Sequence, residues 1–468
     1  MTTRYQVIDT NEPADSVSSV PISSGSIATG GWLDDHRPLL SRSSAGTSVS
    51  EDVSIEDVEP EPTATPASCS INLANTILGT GMLAMPSAVA SVGLLPGIAI
   101  IMLSALASGA GLYFLACCAT RTEGRHSSFF AISKLTWPRA AVFFDLAIAC
   151  KCFGVAISYL IIIGDLMPQV IASFSNHTGD SELLMDRRFW ITVFMATVVL
   201  PLSFLRKLDS LKYTSVVSLI AVVYLCAIVA FYYVSPNFPP PPPEDVELFS
   251  FTTKFFSYLP VFVFAFTCHQ NIFSVYNELR DNSLRVIAQT IAISIGSSAF
   301  IYEIVAILGY LSFGKDVRGN IIQEYPPSFF VAGGRVAIVV LVVFSYPLQL
   351  HPCRSSLDKV LAWRTPEARG LKIPPPPSAF KYFAMTTSIL ISSYLVAITI
   401  SQLDLVLAFV GSTGSTTISF ILPGLFYYKI HENDPWKPGK IGAVVLATYG
   451  FLVMVVCLTF NVMRLYNP

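Results

Sequence analysis

Charge is scarce in this sequence. Asp, Glu, Lys and Arg make up 13% of its 468 residues, against about 25% in an ordinary soluble chain. The deficit is concentrated: the 59 residues from Pro62 to Thr120 contain none of the four. Such a run holds two helices of about 20 residues, each able to cross a hydrocarbon core of roughly 30 Å. Period-2 alternation is also missing from the apolar runs, which excludes a transmembrane β-barrel. Helices remain, because in lipid the backbone must satisfy its own hydrogen bonds. No apolar stretch follows Met1, so no signal peptide is expected. There is no HExxH, no nucleophile elbow and no Asp-rich phosphate motif, which speaks against a membrane enzyme. No basic patch suits a nucleic acid. The nine cysteines lack metal-ligand spacing and read as free, buried thiols, with no metal or other cofactor expected.

What is present is apolar: 53% of the residues are hydrophobic. The fold class is an all-α polytopic membrane protein with about eleven spans, at 68–91, 97–119, 141–170, 189–205, 213–234, 255–275, 287–312, 333–353, 380–400, 404–428 and 440–463. The domain division is a tail, 1–66, and a transmembrane domain, 67–468. The tail holds eleven acidic and three basic residues, is rich in Ser and Pro and is expected to be disordered. It carries Asp35-His36-Arg37-Pro38-Leu39-Leu40, an acidic-dileucine pattern of the kind that sorting adaptors read; Asp35, Leu39 and Leu40 are the sorting candidates.

Orientation follows from Lys and Arg. With the N-terminus cytoplasmic, the cytoplasmic loops hold eighteen basic residues, from Arg121 to Lys440. The opposite loops hold six: Arg187, Arg188, Lys254, Lys315, Arg318 and Arg335. An odd span count then puts the C-terminus on the far side. Asn176 heads an Asn-His-Thr glycosylation triplet that falls in a far-side loop.

The first span is built badly for a plain crossing. Asn72, Asn75, Thr76, Gly79, Thr80 and Gly81 crowd its middle and Pro86 follows. Gly-x-Gly lowers helix propensity and lets a backbone unwind. An unwound stretch at mid-membrane, with its half-helix dipoles, can hold a carboxylate. The competing explanation is that Gly79 and Gly81 let neighbouring helices approach. The sixth span has a matching defect at Ala265-Phe266-Thr267-Cys268-His269-Gln270-Asn271. Interrupted helices at corresponding places in two halves point to a transporter site.

These motifs carry a resemblance. The run from Asn72 to Pro86, Cys268-His269-Gln270 with Glu278-Leu279, Gly309 to Gly314, and His351-Pro352-Cys353-Arg354 resemble the amino acid/auxin permease family. Gly164-Asp165-Leu166-Met167-Pro168 looks most like its fungal vacuolar branch, and the sodium-coupled neutral amino acid transporters are similar relatives. The likeness covers roughly 66–465. It implies a LeuT-type fold of two inverted five-helix repeats, near 68–234 and 252–428, with an extra helix at 440–463. It implies a site on Asn75, Thr76, Gly79, Thr80 and Gly81 of helix 1 and Ala265, Phe266, Thr267 and Cys268 of helix 6.

Ionisable groups inside spans are functional candidates because burying them is costly. Lys151 in span 3 either pairs with a carboxylate or takes the place of a coupling cation; Glu303 in span 7 either relays protons or caps a polar cluster. Asp145 and Asp404 lie near span ends and are expected to be solvated. In sodium-coupled relatives a helix 1 Asn and a helix 8 hydroxyl belong to the ion site; Asn72 and Ser345 match them, although a Lys151 ammonium nearby would repel a cation. The expectation is a secondary transporter of neutral amino acids in a vacuolar or lysosomal membrane, linked to protons. Its partners are the amino acid, the bilayer and a sorting adaptor on the tail. The alternatives are an amino acid-sensing receptor of the same fold and a sodium-coupled plasma-membrane transporter.

The charge bias gives a test. Protease added to intact vacuoles should remove an N-terminal tag and spare a C-terminal one; the reverse pattern would overturn the orientation.

Overall fold

In a computed structural model the described residues are 64–122, 124–174, 182–205, 214–238, 240–250, 252–362 and 378–466. Asp35, Leu39, Leu40 and Asn176 lie outside them, as does the tail apart from its last residues.

The first predicted span is two helices, α1 (Pro66–Ile77) and α2 (Gly81–Ala90), bent by 57° at Leu78–Thr80. Then come α3 (Leu94–Ala119), α4 (Ala141–Phe174), α5 (Arg187–Phe194, continued to Ser203) and α6 (Thr214–Val234). The sixth predicted span is α7 (Lys254–Ala265) and α8 (Ile272–Glu278), parted by a non-helical step at Phe266–Cys268 and a 3₁₀ turn at His269–Asn271. The rest are α9 (Leu284–Phe313), α10 (Phe329–Leu361), α11 (Ala379–Thr399), α12 (Leu403–Ile430) and α13 (Pro438–Tyr466). Among the described residues eight helices are long and apolar enough to cross a membrane, and nine if the bent pair is one span. Predicted spans four and five fall below that measure, the fourth because it is short and broken by a π-turn at Met195–Val199 just ahead of Pro201. A second pair of π-turns in α12, at Gly411–Ser415 and Thr417–Ile421, likewise precedes a proline, Pro423. A π-turn rearranges the backbone bonds that a proline ring would obstruct.

The outer surface is apolar as well as the core. Leu103, Leu106, Phe300 and Val445 are each at least 60% exposed. Lipid satisfies such a belt, so packing between helices must come from close contact and not from expulsion of water. Gly411 abuts the Pro260 backbone in α7, and Gly424 abuts Ala443 and Ala447 in α13. All nine cysteines are free; Cys150 is exposed on α4, where the sequence suggested burial, because it lies on that helix's outer side.

Two charged residues depart from expectation. Asp404 is buried, not solvated: Arg464 of α13 donates to it at 2.8 Å and the Tyr258 hydroxyl of α7 at 3.0 Å. The thirteenth helix is thereby tied to both α7 and α12. Asp145 is also buried, 3.6 Å from Lys359 of α10. Arg335, counted above as a loop residue, is 2% exposed inside α10 and donates to the carbonyls of Ile322 (3.3 Å) and Tyr325 (2.7 Å). Its charge fastens the 321–325 segment and is no guide to orientation. The predicted eighth span stopped at 353, but α10 runs eight residues further through Pro352. Arg354 stacks on Tyr382 at 4.0 Å and donates to Thr386 at 3.1 Å, which holds this extension against α11.

Removing one partner of a buried pair leaves the other charge stranded. The Asp404 side chain is 9% exposed and that of Arg464 27%. Arg464→Ala should therefore cost about 3 kcal/mol, and Asp404→Asn clearly less, since the stranded Arg464 can reach solvent. Melting temperatures in detergent would check the order.

Candidate substrate site

The breaks in α1–α2 and α7–α8 meet at one place. The Tyr302 hydroxyl of α9 donates to the carbonyl of Ile77, the last residue of α1, and lies 3.0 Å from the carbonyl of Ala265, the last residue of α7. Ser108 of α3 donates to the Phe266 carbonyl at 2.7 Å. The His269 imidazole Nε2 is 3.1 Å from the Ser108 carbonyl, and Ser419 of α12 donates to Thr267 Oγ1 at 3.3 Å. An unwound carbonyl in lipid costs several kcal/mol if unpaired, and these side chains remove that cost.

The helix 1 side is different. The backbone bonds resume with Met82 N–H to Gly79 O at 3.1 Å and Leu83 N–H to Thr80 O at 3.2 Å. The N–H groups of Met82 and Leu83 are thereby paired, and those of Thr80 and Gly81, just ahead of them at the break, are the ones without a carbonyl one turn earlier. Leu78, Gly79 and Thr80 line a cavity of about 900 Å³. The cavity runs from this break to Ser68, Glu278 and His351, near the start of α1, the end of α8 and the later part of α10. It therefore lies on the side where the chain enters its first helix. One face of α1 (Ser68, Ile71, Asn72, Asn75) and one face of α10 (Leu341, Ser345, Gln349, Pro352) form its walls, each at helical spacing. Asn271 donates to Thr76 Oγ1 at 2.8 Å, which joins α1 to the break of the sixth span, and Thr76 donates to the Asn72 carbonyl at 3.0 Å within α1.

The predicted residues divide accordingly. Asn75, Thr76, Gly79 and Thr80 line the cavity, with Asn72 and Ser345 of the ion-coupling candidates. Gly81, Ala265, Phe266, Thr267 and Cys268 do not line it; they are buried in the contact between the two broken helices. A Cβ on Gly81 would stand 3.0 Å from Ala265 Cα, so Gly81 serves close approach. A Cβ on Gly79 would find only the Ile77 carbonyl, at 3.9 Å. Lys151 is 3% exposed and sits against the α12 π-turn, where a Cβ on Gly414 would stand 2.7 Å from its own. Glu303 is on the outer side of α9, away from the cavity, because it follows Tyr302 by one residue and so points about a quarter-turn away.

Sequence reasoning missed Tyr302, Ser108, Tyr159, Gln270 and Gln349. Gln349 was readable, being a polar residue four after Ser345 on the same face of an apolar span. Tyr302 and Ser108 gave no signal, since one hydroxyl in an apolar run is ordinary.

The two glycines should therefore behave differently. Gly79→Val should leave the melting temperature in detergent close to that of the parent and abolish protection by substrate. Gly81→Val should lower the melting temperature by overpacking of about 1–3 kcal/mol. Equal loss of stability in both would mean that neither faces the site.

Known proteins resemble this chain over nearly all of these elements. Residues 62–465 match the family model described as transmembrane amino acid transporter protein. The vacuolar amino acid transporter 5 of Schizosaccharomyces pombe is 46% identical over 408 residues, covering 84% of this chain and 94% of its own. The vacuolar amino acid transporter 6 of Saccharomyces cerevisiae is 35% identical, covering 83% and 97%. The sodium-coupled neutral amino acid symporter 2 of Danio rerio is 25% identical, covering 82% and 79%.

Proposed function

The chain belongs to the transmembrane amino acid transporter family, and on that premise we propose that it carries neutral amino acids across the vacuolar membrane, driven by a proton gradient. The observation that carries this is the break at Leu78–Thr80 opening on the cavity. The N-terminal dipole of α2 and the N–H groups at the break itself, ahead of Met82, suit a substrate carboxylate. The helix 6 carbonyls at Ala265 and Phe266 are already taken by Tyr302 and Ser108, so helix 1 supplies the main contacts: Asn75, Thr76, Gly79 and Thr80. Side-chain selection rests on the wall. It offers Asn72, Gln270, Ser274 and Gln349 as neutral partners, and no Lys or Arg lines it among the described residues. An acidic substrate side chain would find no Lys or Arg there, and Glu278, which lines the same cavity together with His351, would repel it.

The vacuolar assignment rests on the names of the relatives. A 5+5 inverted repeat accounts for breaks in the first and sixth spans, and for a thirteenth helix outside both halves. Asn72 and Ser345 could ligate a hard cation through oxygen, but Lys151 is a permanent competitor if its ammonium lies near that place. Proton coupling is proposed from the likeness to vacuolar transporters, and exclusion of sodium at that place would agree with it. Address by the tail, through Asp35, Leu39 and Leu40, completes the proposal.

The test is the purified chain in liposomes with a panel of radiolabelled amino acids under imposed proton or sodium gradients. Neutral substrates should accumulate with the proton gradient alone. Dependence on sodium would move the chain to the symporter class. Substrate binding without counterflow would make it a receptor.

A further inference from the structure

Helices α3 and α9 leave a second cavity between them on the outside of the bundle, of about 560 Å³. It is separate from the substrate cavity and shares no residue with it. Along α9 it extends from Ala288 to Glu303, roughly 22 Å at the rise of an α-helix, which is more than one leaflet of the hydrocarbon core. Its floor is small and flat, with Gly109 of α3 and Ala292 and Gly296 of α9. Tyr113 and Phe300, both exposed, stand as walls.

Two observations need an occupant. The first concerns the glycines. Within a helix each glycine costs about 1 kcal/mol relative to Ala, and the others on these two helices have a reason inside the chain. Gly97 meets Val89, Gly111 meets His269 and Gly309 meets Pro86, each closer than 3.0 Å to an added Cβ. Gly109 and Gly296 meet nothing within 4 Å. The second is Glu303. Its Oε1 is buried and has no hydrogen-bond partner, at one end of an apolar slot inside a membrane helix. A carboxyl group there is costly until something donates to it.

We propose that this slot is a binding site for a membrane sterol, whose hydroxyl donates to the Glu303 carboxyl and whose flat ring system lies on Gly109, Ala292 and Gly296. The chemistry selects the class. An acyl chain fills apolar space but brings no donor to that depth. A sterol brings one hydroxyl at the end of a rigid, flat apolar body, which matches one acceptor at the end of a glycine-floored slot. The site also lies back to back with the substrate centre: Tyr302, the neighbour of Glu303, holds the ends of both broken helices. An occupant there would bear on the helix that carries that clamp.

The probe is a diazirine sterol analogue, irradiated with the purified full chain in phosphatidylcholine nanodiscs and mapped by peptide mass spectrometry. Label should concentrate on 102–113 and 288–303 and be displaced by unlabelled sterol. Gly296→Leu projects into the slot from a position where an added Cβ meets nothing within 4 Å, so it should fold and retain counterflow while labelling falls about tenfold. Glu303→Leu should lower labelling similarly, and Glu303→Gln, which keeps an acceptor of the same shape, should restore most of it. Label spread evenly over the lipid-facing helices, or unaffected by Gly296→Leu, would overturn the proposal. Equal labelling by a diazirine fatty-acyl phospholipid would do the same and would assign the slot to an acyl chain.

Discussion

Breaking a helix inside a membrane exposes backbone carbonyls to a medium that offers them no hydrogen bond, and one tyrosine answers for two such breaks. Tyr302 reaches from α9 to the carbonyl ends of α1 and α7. Its place explains why α9 packs against both halves of the first span as well as α3. A helix that must deliver a hydroxyl to this point has to run through the middle of the bundle wall. Ser108 extends the same service to the carbonyl of Phe266, and Ser419 donates to the hydroxyl of Thr267, the next residue of the sixth span. The broken helices are thus fixed at their carbonyl ends and left open at the amide end of α2. The proposal that a substrate carboxylate binds at the first-span break rests on this asymmetry.

The asymmetry also decides how the two defects share their work. From the sequence they look alike, each a polar cluster at the centre of an apolar span. In the folded chain the sixth-span defect is filled by its own neighbours, and the first-span defect faces the cavity. Gly81 lies against Ala265 and lets the two halves close on each other; Gly79, two residues away, faces open space. The two explanations weighed for the Gly-x-Gly motif, unwinding and close approach, both hold, one for each glycine.

Several charges at the ends of the bundle are likewise held by partners from within the protein. Asp404 with Arg464 and Tyr258, and Asp145 with Lys359, join elements distant in sequence, while Arg335 holds two carbonyls of the segment just before its own helix. Their burial was not legible, because a charged residue at the end of an apolar run looks the same whether it meets water or a partner. For the two aspartates the partner comes from another helix, as far away as the 214 positions between Asp145 and Lys359.

The sequence by itself determined the class and the general place of the site. A 59-residue run that is uncharged, apolar and without period-2 alternation points to membrane helix, and two Asn, two Thr and two Gly in one span weaken that helix near its middle. Those are local properties, set by solvation of side chains and by backbone propensity. Tertiary structure decided which residues of the weakened span face the cavity, because facing depends on the rotation of α1 and α2 against α7 and α9. It decided that Glu303 lies outside the bundle while Tyr302 lies inside, since adjacent residues on a helix diverge by about 100°. It also buried Lys151 beside Gly414, a glycine whose missing side chain is the space that the lysine's own helix occupies. Contacts of this kind join residues hundreds of positions apart, and periodicity along the chain holds no record of them.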